Sequence, residues 1–254
     1  MKVFSYNVNG IRSAMSKGLV DWLQEVQPDV IGFQEIKANV EDIDDSGFKA
    51  LGYECHWFSA QKKGYSGTGF LTKTKATKVT NGNGMEQGDF EGRTLQVQIG
   101  DVLYINTYFP SGSAGDERQA YKMEFLAEYL QWLNGLRKKH KQVVVLGDYN
   151  ICHKPIDIHD PVSNKNSSGF LPEERAWMDD FFATGMVDSF RTVNPHPHQY
   201  SWWSFRANAR NNNKGWRIDY INVSQNLQSK ISDAYILPEA KHSDHCPVAL
   251  HLDV

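Results

Sequence analysis

Val143-Val144-Val145-Leu146-Gly147-Asp148-Tyr149-Asn150 is the stretch from which the rest of the chain can be read. Four consecutive aliphatic residues suit a buried strand, and the Gly-Asp-Tyr-Asn that follows brings a carboxylate and an amide to its end. The same cadence stands at the N-terminus, where Phe4-Ser5-Tyr6 closes on Asn7-Val8-Asn9. Two apolar runs that each close on polar-x-Asn point to two similar halves that place strand ends at a shared site. Two sheets packed face to face with helices outside would house them.

Other runs extend the pattern. Val30 to Phe33 leads into Gln34-Glu35, Leu103 to Tyr108 into Pro110-Ser111-Gly112, Trp216 to Val223 surrounds Asp219, and Pro247 to Leu252 follows Ser243-Asp244-His245. These read as buried strands that deliver functional ends to one rim, the bland alternative for Ser243 to Pro247 being a turn before a final edge strand. Helical stripes lie between the strands: Leu19, Trp22, Leu23 and Val26 before Pro28, Phe125, Tyr129, Leu133 and Leu136, and a segment from Glu173 to Thr184 bounded by Pro172 and Gly185. With no Pro/Ser-rich linker, residues 1–254 read as a single layered α/β domain.

Composition narrows the class. The 254 residues carry only three cysteines, Cys55, Cys152 and Cys246, too few and too scattered for a disulfide framework or a thiolate zinc site. No apolar run reaches the roughly 18 residues of a membrane helix, and the first residues enter a strand pattern at once, so a cytoplasmic protein is expected. The net charge of −3 argues against a polyanion partner until its distribution is considered. Cys55 to Met85 holds five lysines and no acid, and Ser189 to Ile218 holds Arg191, Arg206, Arg210, Lys214 and Arg217 and no acid. These segments carry +10, leaving 17 cations against 30 acids elsewhere, and two such basic stretches suit phosphate steering.

No P-loop, G-x-S-x-G elbow, HExxH or EF-hand pattern is present. What gathers at strand ends is oxygen chemistry: Asn7, Asn9, Glu35, Asp148, Asn150, Asp219 and Asp244, with His245 beside the last. Carboxylates and amides without thiolates suit Mg²⁺ or Mn²⁺, and such metals point to phosphate chemistry. Asp219, inside an apolar run, needs a partner such as a histidine. Trp202, Trp203, Phe205 and Trp216 are interleaved with the second basic segment, a combination suited to an unstacked nucleotide or bare sugar. Trp203, Trp22 and Trp132 read as core.

Asn7-Val8-Asn9-Gly10-Ile11-Arg12, Phe33-Gln34-Glu35-Ile36-Lys37, Gly64-Tyr65-Ser66-Gly67, Tyr108-Phe109-Pro110, Gly147-Asp148-Tyr149-Asn150, Gly169 to Arg175, Gly215 to Tyr220 and Ser243 to Pro247 resemble, in order and spacing, the exonuclease III type of abasic-site endonucleases of the endonuclease/exonuclease/phosphatase superfamily. The resemblance spans Met1 to Leu252. It implies a four-layer α/β sandwich of two mixed β-sheets, DNase I-like, and Mg²⁺-dependent cleavage of duplex DNA 5′ of abasic sites, with 3′-to-5′ exonuclease and 3′-end trimming activity. It further implies a monomer that acts on abasic sites or blocked 3′ ends, in the cytoplasm or nucleoid.

By motif match, Glu35 would be the central metal ligand, with Asn7 and Asp244 nearby and Asp148 and Asn150 at a second metal position. Asp148 would orient or deprotonate water, and Asn150 would hold that water. His245, supported by Asp219, would bind the scissile phosphate and stand among the metal-site residues, and Tyr108 would contact the phosphate or assist the leaving oxygen. Arg12, Lys17, Gly64, Tyr65, Asn164 and Arg206 match positions that contact DNA, and Trp202, Trp216 and Ile218 match a pocket for the flipped sugar. Some features depart from the pattern: Asn9 stands where animal relatives carry Asp, Ser111 and Ser167 where relatives often carry Asn, and Ala114 and Arg206 where the animal enzyme has wedging side chains. The competing readings are another phosphodiesterase of the superfamily and a catalytically silent nucleic-acid-binding regulator. The silent form would have lost Glu35, Asp148 or His245, and none is lost.

Overall fold

The computed structural model describes residues 1–254 and arranges twelve strands in two mixed six-stranded sheets. The first sheet holds β1 (Lys2–Asn7), β2 (Val30–Gln34), β3 (Glu54–Phe58), β4 (Thr68–Thr72), β11 (Ile231–Ile236) and β12 (Val248–Leu252), in the order β11-β12-β1-β2-β4-β3. The second holds β5 (Lys78–Asn81), β6 (Thr94–Ile99), β7 (Val102–Tyr108), β8 (Gln142–Asp148), β9 (Met186–Asp188) and β10 (Asp219–Ser224), in the order β5-β6-β7-β8-β10-β9. Seven α-helices complete the chain: α1 (Ile11–Ser16), α2 (Leu19–Val26), α3 (Ser46–Ala50), α4 (Glu86–Phe90), α5 (Asp116–Arg137), α6 (Pro172–Ala183) and α7 (Ser189–Val193).

Side-chain alternation explains the layering. Val3 of β1 and Val144 and Leu146 of β8 enter the core between the sheets, while Phe4 and Tyr6 face α1 to α3, and Val143 and Val145 face α5 and α6. The result is a four-layer α/β sandwich. The same period carries Asn7, four residues after Val3, and Asp148, four after Val144, onto the facing surfaces of the two sheets, where their side chains meet.

The polar-x-Asn echo is structural. β1 pairs parallel with β2 and antiparallel with β12, and β8 pairs parallel with β7 and antiparallel with β10. Each motif then makes the same turn, Asn9 N–H donating to Asn7 Oδ1 at 3.0 Å and Asn150 N–H to Asp148 Oδ1 at 2.8 Å. Both asparagines are left-handed, at φ 46° and 51°, a conformation Asn tolerates well. Two boundaries differ from expectation. The run from Trp216 becomes a strand only at Asp219, and β12 is an interior strand, paired on one side with β1 and on the other with β11, rather than an edge.

The sheets come close at Gly32, where a Cβ would overlap Leu146 Cδ1 and the Asn106 side chain. Asn106 spans the gap, donating through Nδ2 to Phe33 O (2.8 Å) and Gly69 O (2.9 Å) and accepting from Gln34 Nε2 (2.7 Å). Gly32→Ala is expected to destabilise the protein by about 1–3 kcal/mol through overpacking, measurable as a lower urea midpoint with an unchanged m-value.

Candidate active site

Strand pairing fixes which ends share a rim. Asn7 lies opposite Gln34, and Asp148 opposite both Tyr108 and Asp219, so the C-terminal ends of β1, β2, β7 and β8 emerge beside the N-terminal end of β10. Glu35, Tyr108, Asn150, Trp202, Trp216, Ile218, Asp244 and His245 line one cavity of about 330 Å³ there. Asp148, Asp219 and Asn7 sit beneath it, buried.

Asn7 occupies the centre. Its Nδ2 donates to Glu35 Oε1 and to Asp148 Oδ2, each at 2.9 Å. Its oxygen accepts from Asn9 N–H, so in this arrangement Asn7 meets both carboxylates as a donor. Lys37 adds a second contact to Glu35 (Nζ–Oε2 2.6 Å) and donates to Asn9 Oδ1 at 2.6 Å. Burial works against ionised Glu35, but Lys37 and the Asn7 amide outweigh it and hold the carboxyl below its ordinary pKa. Asn9 Nδ2 donates to Asp244 Oδ1 (2.9 Å), and Trp202 Nε1 to Asp244 Oδ2 (3.0 Å). Asp244 is likewise lowered: burial opposes its charge, but His245 and these hydrogen bonds prevail.

His245 and Asp219 form a buried pair, with Nδ1–Oδ2 at 2.9 Å, leaving Nε2 3.9 Å from Asp148 Oδ2. Burial opposes charge on the ring, but Asp219, Asp148 and Asp244 together raise its pKa to about 10 and so favour the charged form. Burial and the nearby Asp219 push Asp148 up to about 7, against the pull of His245. One ligand atom from each of Glu35, Asp148 and His245 lies within 4.8 Å of the others. Oxygen donors with at most one imidazole fit a hard divalent cation.

Two arrangements behind the cavity carry no sequence signal of their own. The Arg93 guanidinium is buried over the Tyr108 ring at 4.7 Å and donates to Tyr108 O (2.8 Å), Glu91 Oε2 (2.5 Å) and Tyr65 OH (3.3 Å). It ties Tyr65 and Tyr108 to one cation. Burial, then the Glu35 charge, raises the Tyr108 phenol well above its ordinary pKa despite Arg93, so it stays protonated. The second is the buried pair of Lys122 and Glu174.

The other candidate residues divide. Arg12, Lys17, Gly64 and Arg206 are exposed, as is the neighbouring Phe205, at 77%. Asn164 spends its amide on its own loop, donating to His159 O (3.1 Å) and Asp160 O (2.9 Å). Trp202 and Trp216 meet edge to face at 6.0 Å over Ile218, while Trp203 is core.

The charge reading needs correction. Arg217 is buried against Asp157 (2.8 Å) and Asp188 (2.7 Å), Arg191 pairs with Asp157 (2.6 Å), and Arg210 donates to the carbonyls of Ser243, Pro238 and Ala240. Lys73, Lys75 and Lys78 lie toward the ends of β4 and β5 remote from the rim. Lys62 and Lys63, between β3 and β4, are on the rim side and exposed.

Known proteins carry the same organisation. The model of the Endonuclease/Exonuclease/phosphatase family matches residues 4–245. An exodeoxyribonuclease of Bacillus subtilis is 40% identical over 256 residues, covering 100% of both chains. A DNA-(apurinic or apyrimidinic site) endonuclease of Dictyostelium discoideum is 36% identical, covering 100% of this chain and 71% of its own. An AP endonuclease structure from Archaeoglobus fulgidus superposes with a TM-score of 0.92 at 28% identity over 100% of both chains.

Mn²⁺ titrations followed by electron paramagnetic resonance separate the carboxylates. Glu35→Gln should weaken Mn²⁺ binding by at least about tenfold. Asp219→Asn, which acts on His245, should lose less than the roughly tenfold lower bound expected for a residue that orients a metal-bound histidine.

Proposed function

We propose that this chain, which belongs to the endonuclease/exonuclease/phosphatase family, is a Mg²⁺-dependent DNA-repair nuclease that cleaves the phosphodiester 5′ of abasic sites in duplex DNA and also trims 3′ ends. The observation that carries the reading is the convergence of Glu35, Asp148 and the Asp219–His245 pair with the Trp202–Trp216 pocket in one cavity. Phosphodiester hydrolysis needs an aligned water, stabilisation of growing oxyanion charge and help for the departing 3′ oxygen.

Bound Mg²⁺ or Mn²⁺, held by Glu35 and Asp148 with Asp244 near, would supply positive charge for the phosphate. The chain's own groups do the rest. Asp148, buried beside the Asp219–His245 pair, is suited to orient the attacking water and take its proton, with the Asn150 side chain beside it at 3.3 Å. His245 presents a charged Nε2–H to a phosphate oxygen, and its Nδ1–H is anchored on Asp219. Tyr108, kept protonated, can donate to the phosphate or the leaving oxygen.

Trp202, Trp216 and Ile218 offer an apolar seat for a sugar lacking its base. A normal nucleotide must bring its base along and lose stacking of a few kcal/mol, so the pocket selects by exclusion. The exposed Arg12, Lys17, Gly64, Lys62, Lys63 and Arg206 are the phosphate-facing surface in this reading, with Tyr65 held behind it by Arg93. A monomer in the cytoplasm or nucleoid is the form proposed. No helix is long and apolar enough to cross a membrane.

The test is a labelled duplex with one tetrahydrofuran site, beside an undamaged duplex, in Mg²⁺ and in EDTA. A nick 5′ of the lesion in Mg²⁺ alone is expected, and its absence would remove the reading. Asp148→Asn should lower turnover by about 10²–10⁴-fold while duplex affinity stays within a few-fold.

A further inference from the structure

Behind the cavity α5 and α6 meet through Lys122 and Glu174, whose side chains are 0% exposed and 2.6 Å apart. Every other bond this pair makes runs toward a loop of the cavity or toward Gln119. Lys122 Nζ donates to Asn150 O at 2.8 Å, and Glu174 Oε2 accepts from Gly169 N–H (2.6 Å) and Leu171 N–H (3.0 Å). Gln119, one turn before Lys122 on α5, donates to Glu174 Oε1 (3.2 Å) and accepts from Ser168 Oγ (2.8 Å). The loop after β7 packs on the same cluster, since a Cβ on Gly112 would overlap Gln119 and crowd Ser168. Three segments that supply Ser111, Ser113, Asn150, Ser168 and Gly169 to the cavity are therefore referred to one ion pair.

Gly169 shows how the position is passed on. At φ +93° its backbone lies between the Trp216 ring and Asn150 O, and a Cβ would sit 3.0 Å from Trp216 Cζ3 and 3.1 Å from that oxygen. Glu174 holds the Gly169 amide and Lys122 holds the Asn150 carbonyl, so the pair ties the two loops together on one side, beside the Cys152 N–H to Gly169 O bond (2.7 Å) that joins them directly.

A buried ion pair is a weak source of stability, because desolvation consumes much of its attraction and apolar replacements of similar volume are often neutral or stabilising. What charge supplies here is direction: one cation and one bidentate acceptor, aimed at loop backbones that have no regular secondary structure to hold them. We propose that Lys122 and Glu174 are a positioning pair that sets the separation of Asn150 from the Gly169–Trp216 wall and thereby the fit of the flipped sugar. This rests on the nuclease reading.

The test replaces both charges at once, Lys122→Met with Glu174→Leu, which leaves no unpaired buried ion. Three readouts are taken beside wild type: thermal midpoint, Mn²⁺ affinity, and kcat and KM on the tetrahydrofuran duplex. The expected outcome is a midpoint and Mn²⁺ affinity near wild type, KM within about threefold, and kcat lower by on the order of ten- to a hundredfold, the scale of an ångström-sized misplacement. Wild-type kcat in a stable double variant would overturn the inference and show a pair with a purely structural role. If the double variant does not fold, Glu174→Gln serves, with reduced kcat and retained Mn²⁺ binding expected and unchanged kcat overturning. An independent readout needs no turnover: with 5-fluorotryptophan incorporated, the ¹⁹F resonance of Trp216 should move in the variant, and an unmoved resonance would overturn the inference. An inert wild type with a shifted Trp216 signal would count against the nuclease reading and leave the positioning role supported.

Discussion

The site depends on one amide. Glu35 comes from the end of β2 in one sheet and Asp148 from the end of β8 in the other, and both approach a buried rim where like charges repel. Asn7 Nδ2 donates a hydrogen bond to each, and it can do so only because the β1 alternation that buries Val3 also turns Asn7 toward the opposite sheet. Lys37 and His245 supply positive charge on the two flanks. The close contact of the sheets at Gly32 and Asn106, two residues back along β2 and β7 from their rim ends, keeps the carboxylates at that separation. Fold and site are thus one constraint: the core between the sheets sets how far apart the acids stand.

Much of this was legible in the sequence because strand alternation and strand ends are local properties. The paired runs Phe4–Asn9 and Val145–Asn150 form matching turns, and the need of Asp219 for a histidine is met by His245. What was not legible is long-range. Residues 189–218 look uniformly basic, yet Arg191 and Arg217 are neutralised by Asp188, immediately before that stretch, and by Asp157, well upstream of it, and neither marks its pairing in the sequence. Counting charges cannot separate a cation offered to a ligand from one used by the fold. Lys73 to Lys78 fail for another reason: the strands that flank them carry them to the far rim.

The supporting groups were hidden in the same way. Nothing in the sequence marks Arg93, Lys122 or Glu174 as interior, yet all three side chains are almost fully enclosed. Each reaches loop backbone or an aromatic ring at the cavity, where directional bonds matter more than net stability. Asn7 shows the same distinction: its residue type suits a metal ligand, and its partners here make it a donor between anions.

Asn7→Asp removes that donor while keeping the size of the side chain. An aspartate could ligate a metal at least as well as asparagine, but it cannot donate to Glu35 and Asp148 and sets a third negative charge between them. A folded variant is expected whose Mg²⁺-dependent incision rate on abasic duplex falls by about 10²-fold or more, the scale of one preorganised donor at an active site. A variant with wild-type or higher activity would contradict the donor role.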